Sequence, residues 1–253
     1  MHNIYLFIQK LFAVYAFFMF IGFLLLIFPL VIMASLFAKI PGGNLIYWLC
    51  HLWADFFLLM TGIFHHNVFE QPHDRKKTYV FVFNHISYLD IPIILKTIRC
   101  QPIRVLGKSE VAKTPLFGYL YKRAAIMVDR GDSEKRAKSV EQLKEVLKKG
   151  ISIVIAPEGT FNMTNKPLKD FYNGAFKIAI ETQTPIKPLL FLDTYDRMSY
   201  ESIFSINPGK SSSVFLDEIP VAGLTLADVD FLKNKVYKLM EDKLLTYKGS
   251  WIK

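Results

Sequence analysis

The stretch Tyr79-Val80-Phe81-Val82-Phe83-Asn84-His85-Ile86-Ser87-Tyr88-Leu89-Asp90-Ile91-Pro92 decides the reading of the chain. Its first five residues, β-branched or aromatic, read as a short strand. Pro92 limits the other end. Proline is comfortable only in the first turn of a helix, so a helix over the following apolar residues begins no earlier than about Tyr88. His85 then falls in a strand-to-helix loop, with Asp90 at the start of the helix. In one continuous helix, a five-residue separation would turn the two side chains about 140° apart, whereas a loop can fold one back onto the other. A histidine and a carboxylate so placed suit a base held and polarised by an acid. They also suit an ordinary loop histidine followed by a helix-starting acid.

Outward from this stretch, apolar runs alternate with amphipathic ones. Strands are expected at 79–83, 103–106, 125–128, 151–156, 186–192 and 213–216. A helix is expected over 133–149, capped by Asp132 or Ser133. Its apolar face is Val140, Leu143, Val146 and Leu147, and Gly150 ends it. Residues 171–183 and 226–246 also read as helices, the second opened by a Thr225-x-x-Asp228 capping box. Such alternation implies an α/β fold, a mostly parallel sheet covered by helices. No internal repeat, low-complexity tract or Rossmann glycine fingerprint is present.

Before residue 65 the chain changes character. The sequence is 52% hydrophobic, with a mean hydropathy of +0.26, and the excess is concentrated here. From Leu11 to Ala38 there is no charge. As a helix this segment would be about 42 Å long, against the roughly 30 Å hydrocarbon core of a bilayer. Pro29 is a point at which it can kink or split. Lys39-Ile40-Pro41-Gly42-Gly43-Asn44 reads as a turn. A second apolar segment runs from Leu45 to Phe64, with Tyr47, Trp48 and Trp53 as interfacial anchors. Residues 1–66 therefore read as a membrane-attachment helix pair and 67–253 as the α/β domain. A transmembrane hairpin and a pair embedded in one leaflet both satisfy the pattern. His51 and Asp55, on one helical face, mark the side turned towards protein or headgroups. Arg75-Lys76-Lys77 favours a cytoplasmic face for the α/β domain, at an inner membrane.

The net charge of +9 calls for an anionic neighbour: a membrane surface, a phosphorylated substrate or nucleic acid. Nucleic acid is disfavoured because the basic residues are scattered rather than interleaved with aromatics. Cys50 and Cys100 read as unpaired thiols in a reducing compartment. His65, His66 and His73 lack metal-ligand spacing, so no metal site is expected.

Asn84-His85-x-Ser87-x-x-Asp90, a His-x4-Asp motif, resembles the first signature block of the glycerolipid acyltransferases, the family of lysophosphatidic acid (1-acylglycerol-3-phosphate) acyltransferases. Three later stretches resemble the family's other blocks, in order. Ala124-Ala125-Ile126-Met127-Val128-Asp129-Arg130 is similar to the second, with Ala124 in place of the usual glycine and Arg130 in the arginine position. Lys108 resembles a basic position upstream of it. Pro157-Glu158-Gly159-Thr160 resembles the third, but Phe161 and Asn162 replace the usual arginine and serine, leaving Lys166 or Lys169 as substitutes for that cation. Residues 184–190 resemble the fourth, proline-rich block.

The resemblance implies transfer of a fatty acyl group from a thioester, on coenzyme A or acyl carrier protein, to a lysophospholipid hydroxyl, with no further cofactor. His85 would act as base and Asp90 as its orienting acid. Arg130, with Lys108, would hold the acceptor's phosphate. Glu158, Gly159 and Thr160 would shape the acceptor pocket, and Asn84 and Ser87 would order the loop. The favoured acceptor is 1-acylglycerol-3-phosphate. A lyso-aminolipid, glycerol-3-phosphate itself and a non-catalytic lipid-binding role stand as alternatives.

Overall fold

Residues Val80–Phe83 form β2, buried at all four positions. The other strands are β1 (Ile63–Phe69), β3 (Ile103–Lys108), β4 (Ala125–Val128), β5 (Ser152–Ile155), β6 (Ile186–Phe191) and β7 (Gly209–Phe215). The structure, a computed structural model, describes residues 2–129 and 131–252. The seven strands make one sheet in the order β1-β7-β6-β2-β5-β3-β4, which places β2 at its centre. The five strands from β6 to β4 are mutually parallel. β7 runs antiparallel to β6, and β1 runs parallel to β7. The burial follows from this order. Inner strands β2, β5 and β6 are covered on both faces and are apolar almost throughout, while the edge strand β4 alternates.

Alternation along β2 divides the core into two layers. Tyr79, Phe81 and Phe83 face one way, with α1 (His2–Ala34), α2 (Lys39–Met60), α3 (Asp90–Thr97) and α4 (Phe117–Ala124). Val80 and Val82 face the other, with α5 (Ser133–Lys148), α6 (Gly174–Glu181) and α8 (Val229–Tyr247). The short α7 (Thr194–Arg197) lies between β6 and β7 in the chain. Asp132 caps α5, its Oδ1 accepting from the N–H groups of Glu134 and Lys135 at 3.0 Å each. Such a cap is worth about 1 kcal/mol. The Thr225/Asp228 capping box forms too, at the 3₁₀ turn that leads into α8.

Tyr47 and Trp53, expected as interfacial anchors, are buried in the core, while Trp48 is exposed. The N-terminal segment differs from expectation in three further places. α1 continues past Pro29 without a break. The chain reverses at residues 35–38, so Lys39 is already helical and Pro41 sits in the tolerated first turn. The glycines that read as breakers permit close approach instead. A Cβ on Gly42 would stand 2.5 Å from the Ala34 carbonyl oxygen, and one on Gly43 would stand 2.5 Å from Arg104 Nη2. Third, α2 ends at Met60, and Gly62, at φ +64, turns the chain into β1. β1 is not among the strands expected from sequence. It pairs with β7 alone, and His65-His66-Asn67 interrupt its apolar run.

The helix pair shares its core with the sheet, and the expected division at residue 66 falls within β1. Phe20 packs edge-on to Trp53 at 4.8 Å between ring centroids. His51 Nδ1 lies 2.6 Å from the Leu95 carbonyl, and Asp55 is bound by Lys96 and Arg99, so both turn towards α3 and the residues after it. Gln9 donates to the Ser205 carbonyl, and Ser35 Oγ lies 2.9 Å from the Tyr119 hydroxyl. The outward face of α1 is apolar, with Phe7, Phe18 and Leu26 each more than 60% exposed. Both helices are long and apolar enough to cross a membrane, and a contiguous apolar face of this kind indicates membrane association.

Candidate active site

The loop after β2 is fixed at its first residue. The buried Asn84 amide donates to the Phe191 carbonyl (3.0 Å) and accepts from the Phe191 N–H (2.8 Å), tying the end of β2 to the end of β6. The loop then closes on Asp90, the first residue of α3 and fully buried. One oxygen of Asp90, Oδ2, gathers three groups: His85 Nδ1 at 2.7 Å and the N–H groups of Ile86 at 2.9 Å and Ser87 at 3.0 Å. A carboxylate there also meets the positive end of the helix. Ser87 Oγ donates to the Met198 carbonyl at 2.5 Å and accepts from the Leu89 N–H at 3.0 Å.

Chemically, a carboxylate accepting from Nδ1–H fixes the imidazole tautomer and leaves Nε2 as the basic nitrogen. Nε2 makes no hydrogen bond among the described residues, and the His85 side chain is 25% exposed. The arrangement can take a proton from a group delivered to Nε2 and hold the resulting cation beside a buried anion.

The turn after β5 is stitched to this loop. Buried Glu158 accepts from the His85 N–H through Oε1 (2.9 Å) and from the Lys169 N–H through Oε2 (2.8 Å). The Asn162 N–H donates to the His85 carbonyl at 2.7 Å. Both backbone polar groups of His85 are thus satisfied by residues of the third sequence block. Gly159 has φ +74, a left-handed conformation that favours glycine. Thr160 is exposed and its Oγ1 accepts from Lys169 Nζ at 2.7 Å. The Phe161 ring lies 4.3 Å from the His85 ring and 5.0 Å from that of Tyr88, with Tyr200 at 6.4 Å. A cavity of about 480 Å³ opens beside Glu158, lined by Thr164, Lys166, Lys169, Tyr172 and Tyr237 among others.

Burial raises the Glu158 carboxyl to about 7; the Asp90 charge adds to this, and the two N–H donors oppose it. The folded state therefore holds a proton that the unfolded state releases above its ordinary value of 4.5. The contribution of this group to stability is complete below pH 4.5 and is lost as pH rises to 7, a change of about 3 kcal/mol. Denaturant unfolding of wild type and Glu158→Gln across that range checks this: the wild type should lose stability relative to the variant as pH rises. Parallel curves for the two proteins would rule it out.

Seven of the residues singled out from sequence come together here: Asn84, His85, Ser87, Asp90, Glu158, Gly159 and Thr160. Lys108 does not join them by any hydrogen bond among the described residues. It ends β3, more than half exposed, with Glu110 Oε1 at 3.6 Å. Arg130 lies outside the described residues. Sequence reasoning misses the roles of Asn162 and of the Phe161 ring. Their only signal is that both depart from the usual arginine-serine pair.

A sequence model of the family described as Acyltransferase matches residues 62–192. The chain is 33% identical over 118 residues to the 1-acyl-sn-glycerol-3-phosphate acyltransferase of Cocos nucifera, covering 46% of this chain and 38% of that protein. It is 29% identical over 177 residues to the enzyme of the same name from Haemophilus influenzae, covering 68% and 72%. The chain spans about half the length of several other curated relatives that it matches. The crystal structure of the 1-acyl-sn-glycerophosphate (LPA) acyltransferase PlsC from Thermotoga maritima superposes with a TM-score of 0.72 at 19% identity, over 100% of both chains. That likeness establishes the fold. With the family match extending over just over half of the 253 residues, from the end of α2 to the end of β6, this chain belongs to the acyltransferase family.

Proposed function

We propose that the protein moves a fatty acyl group from a thioester to the free hydroxyl of 1-acylglycerol-3-phosphate, giving phosphatidic acid. The observation that carries this reading is the three-way grip of Asp90 Oδ2 on His85 Nδ1 and the two loop amides. His85 Nε2 removes the hydroxyl proton as the alcohol oxygen attacks the thioester carbonyl. The tetrahedral adduct collapses by breaking the C–S bond, and the imidazolium returns the proton to the departing thiolate. Asp90 holds the tautomer and stabilises the cation between these steps. No acyl-enzyme is needed, and the sequence has no Gly-x-Ser-x-Gly elbow. Arg130 binds the acceptor's phosphate together with Lys108. Lys169, held over Thr160, supplies the cation that Phe161 does not.

The helix pair places this chemistry at the lipid surface and lies within one leaflet. Gln9 and Ser35, joined to the α/β body at Ser205 and Tyr119, are about 39 Å apart along α1. A helix crossing the bilayer would carry one of those contacts to the far side. With Arg75-Lys76-Lys77 beside it, the body rests on the cytoplasmic face.

A second reading is favoured by Phe161. Its ring against His85 puts apolar surface where the family carries an arginine, which suits an acceptor without a phosphate monoester, such as a zwitterionic lysolipid. Purified protein, labelled acyl donor and a panel of lysolipids, with products resolved by mass, decide between the two. Preference for 1-acylglycerol-3-phosphate supports the first reading, and absence of any acylated product sinks both. In Phe161→Arg, a charged hydrogen bond to phosphate is worth about 1.5–3 kcal/mol. Selectivity for 1-acylglycerol-3-phosphate over a zwitterionic lysolipid should therefore rise about 10- to 100-fold. An unchanged ratio would remove Phe161 as a determinant of the acceptor.

A further inference from the structure

A second cavity, larger than the one beside Glu158, lies apart from His85. It has a volume of about 660 Å³ and runs along β4, the open edge of the sheet, between α4 and α5 to the first residues of α2. Its walls carry Lys39, Lys113, Lys122, Arg123, Lys138 and Lys149, none of which makes an ion pair among the described residues. Against them stand Asp129 and Glu145, and Asp129 is already engaged by Lys135. Arg104 adds a second, independent observation. It lines the same cavity and is only 5% exposed, yet its guanidinium has only neutral acceptors: the carbonyls of Ile103 (2.7 Å) and Ile40 (3.4 Å) and Asn44 Oδ1 (2.9 Å). The Tyr47 ring lies 5.2 Å away. A buried charge without a counter-charge is costly, and an anion entering the cleft would offset that cost.

We infer that this cleft binds a phosphate-bearing ligand and, resting on the acyl-transfer reading above, that it takes the nucleotide end of a coenzyme A thioester. Its volume is that of a small-molecule site. Coenzyme A brings a diphosphate and a ribose phosphate on one compact body, which matches cations set around a cavity. An acidic carrier protein would meet only the rim. The position also fits. Ser109, Lys113 and Asp129 stand at the carboxyl ends of β3 and β4, the end of the sheet from which the His85 loop leaves β2. At about 4.8 Å per strand, β4 is about 14 Å from β2, a distance that an extended pantetheine arm covers. Anionic lipid headgroups share the phosphate chemistry, and the experiment separates them.

The test uses the full chain in detergent, with coenzyme A as the probe in equilibrium binding and acyl-coenzyme A as donor in turnover. Lys122 and Lys138 are exposed, so Lys122→Glu/Lys138→Glu should fold. It is expected to weaken coenzyme A binding and to raise KM for acyl-coenzyme A by about tenfold or more. kcat and the acceptor's KM should change little. Lys235→Glu/Lys238→Glu on α8 makes the same change in net charge and should leave both constants alone. An acyl N-acetylcysteamine thioester, which has no phosphate, should serve all three proteins equally. Wild-type affinity for coenzyme A in the cleft variant would overturn the inference. So would a wild type that ignores coenzyme A and draws acyl groups only from carrier protein. If the variant keeps coenzyme A but loses binding to phosphatidylglycerol vesicles, the cleft is a lipid-headgroup site and the nucleotide assignment fails. Loss of acyl transfer with every donor while coenzyme A still binds the wild type and not the cleft variant would remove the catalytic reading and leave the site standing.

Discussion

His85→Ala protein is expected to fold and bind membranes as the wild type does, yet to transfer acyl groups at a rate lower by a factor of about 10²–10⁴. The fold should survive because the His85 side chain contributes one hydrogen bond, to Asp90, and ring contacts with Phe83 and Phe161. Its backbone bonds to Glu158 and Asn162 do not depend on the ring. The chemistry should fail because an alcohol is a weak nucleophile at neutral pH without a positioned base. Asp90→Asn should cost activity on the same scale for a different reason. The substituted carboxamide can still accept the Ile86 and Ser87 amides through its oxygen. That same oxygen also meets His85 Nδ1, so the bond persists. The neutral amide, however, no longer stabilises the imidazolium formed when Nε2 takes a proton, and its NH₂ is left in the buried place of Oδ1, which has no partner. Single-turnover rates together with circular dichroism check both variants. Near-normal transfer by a folded His85→Ala or Asp90→Asn protein would remove the pair from the mechanism.

The second large effect concerns attachment. Phe7, Leu11, Phe18 and Leu25 recur at near-heptad spacing along one side of α1, and each is at least half exposed. Burying such a side chain in an apolar medium is worth about 1.5–3 kcal/mol when complete. Changing all four to aspartate should remove at least about 4 kcal/mol of attachment, which lowers the membrane partition coefficient by about 10³. The opposite face, where Leu24, Ile27, Val31 and Ala34 are buried, is untouched, so the α1–α2 contact persists. Liposome flotation reads the loss directly. A short-chain, water-soluble acceptor should still be acylated, because the His85 loop takes no bond from this face of α1. A variant that floats like the wild type would show that α1 is not the anchor.

What can be read from the chain is local. The buried run of β2, the Asp132 cap and the Thr225/Asp228 box each depend on residues within a few positions of one another, and the alternation of apolar runs is enough for a mostly parallel sheet. His85 and Asp90 are legible because five residues and one proline constrain their loop. The parts that escape are contacts between distant segments. β1 is a strand only because β7 returns to lie beside it, and nothing in Ile63–Phe69 announces that. Gly42 and Gly43 look like helix breakers until Ala34 and Arg104 arrive against them. The seat of Phe161 on His85 requires β2 and β5 to be neighbours, and the lone guanidinium of Arg104 becomes unusual only once α2 has covered it.

The peptide of His85 is fastened at its N–H to Glu158 and at its carbonyl to Asn162, on either side of the Thr160-Phe161 pair. The His85 loop and the segment 160–162 therefore form a single mechanical part, unable to shift independently. On the acyl-transfer reading, a change at 160–162 that alters headgroup preference is expected to pull on His85 as well. Among natural or selected variants, choice of lipid and speed of turnover should change together, and a clean exchange of one acceptor for another will require a compensating change in the loop at 84–90.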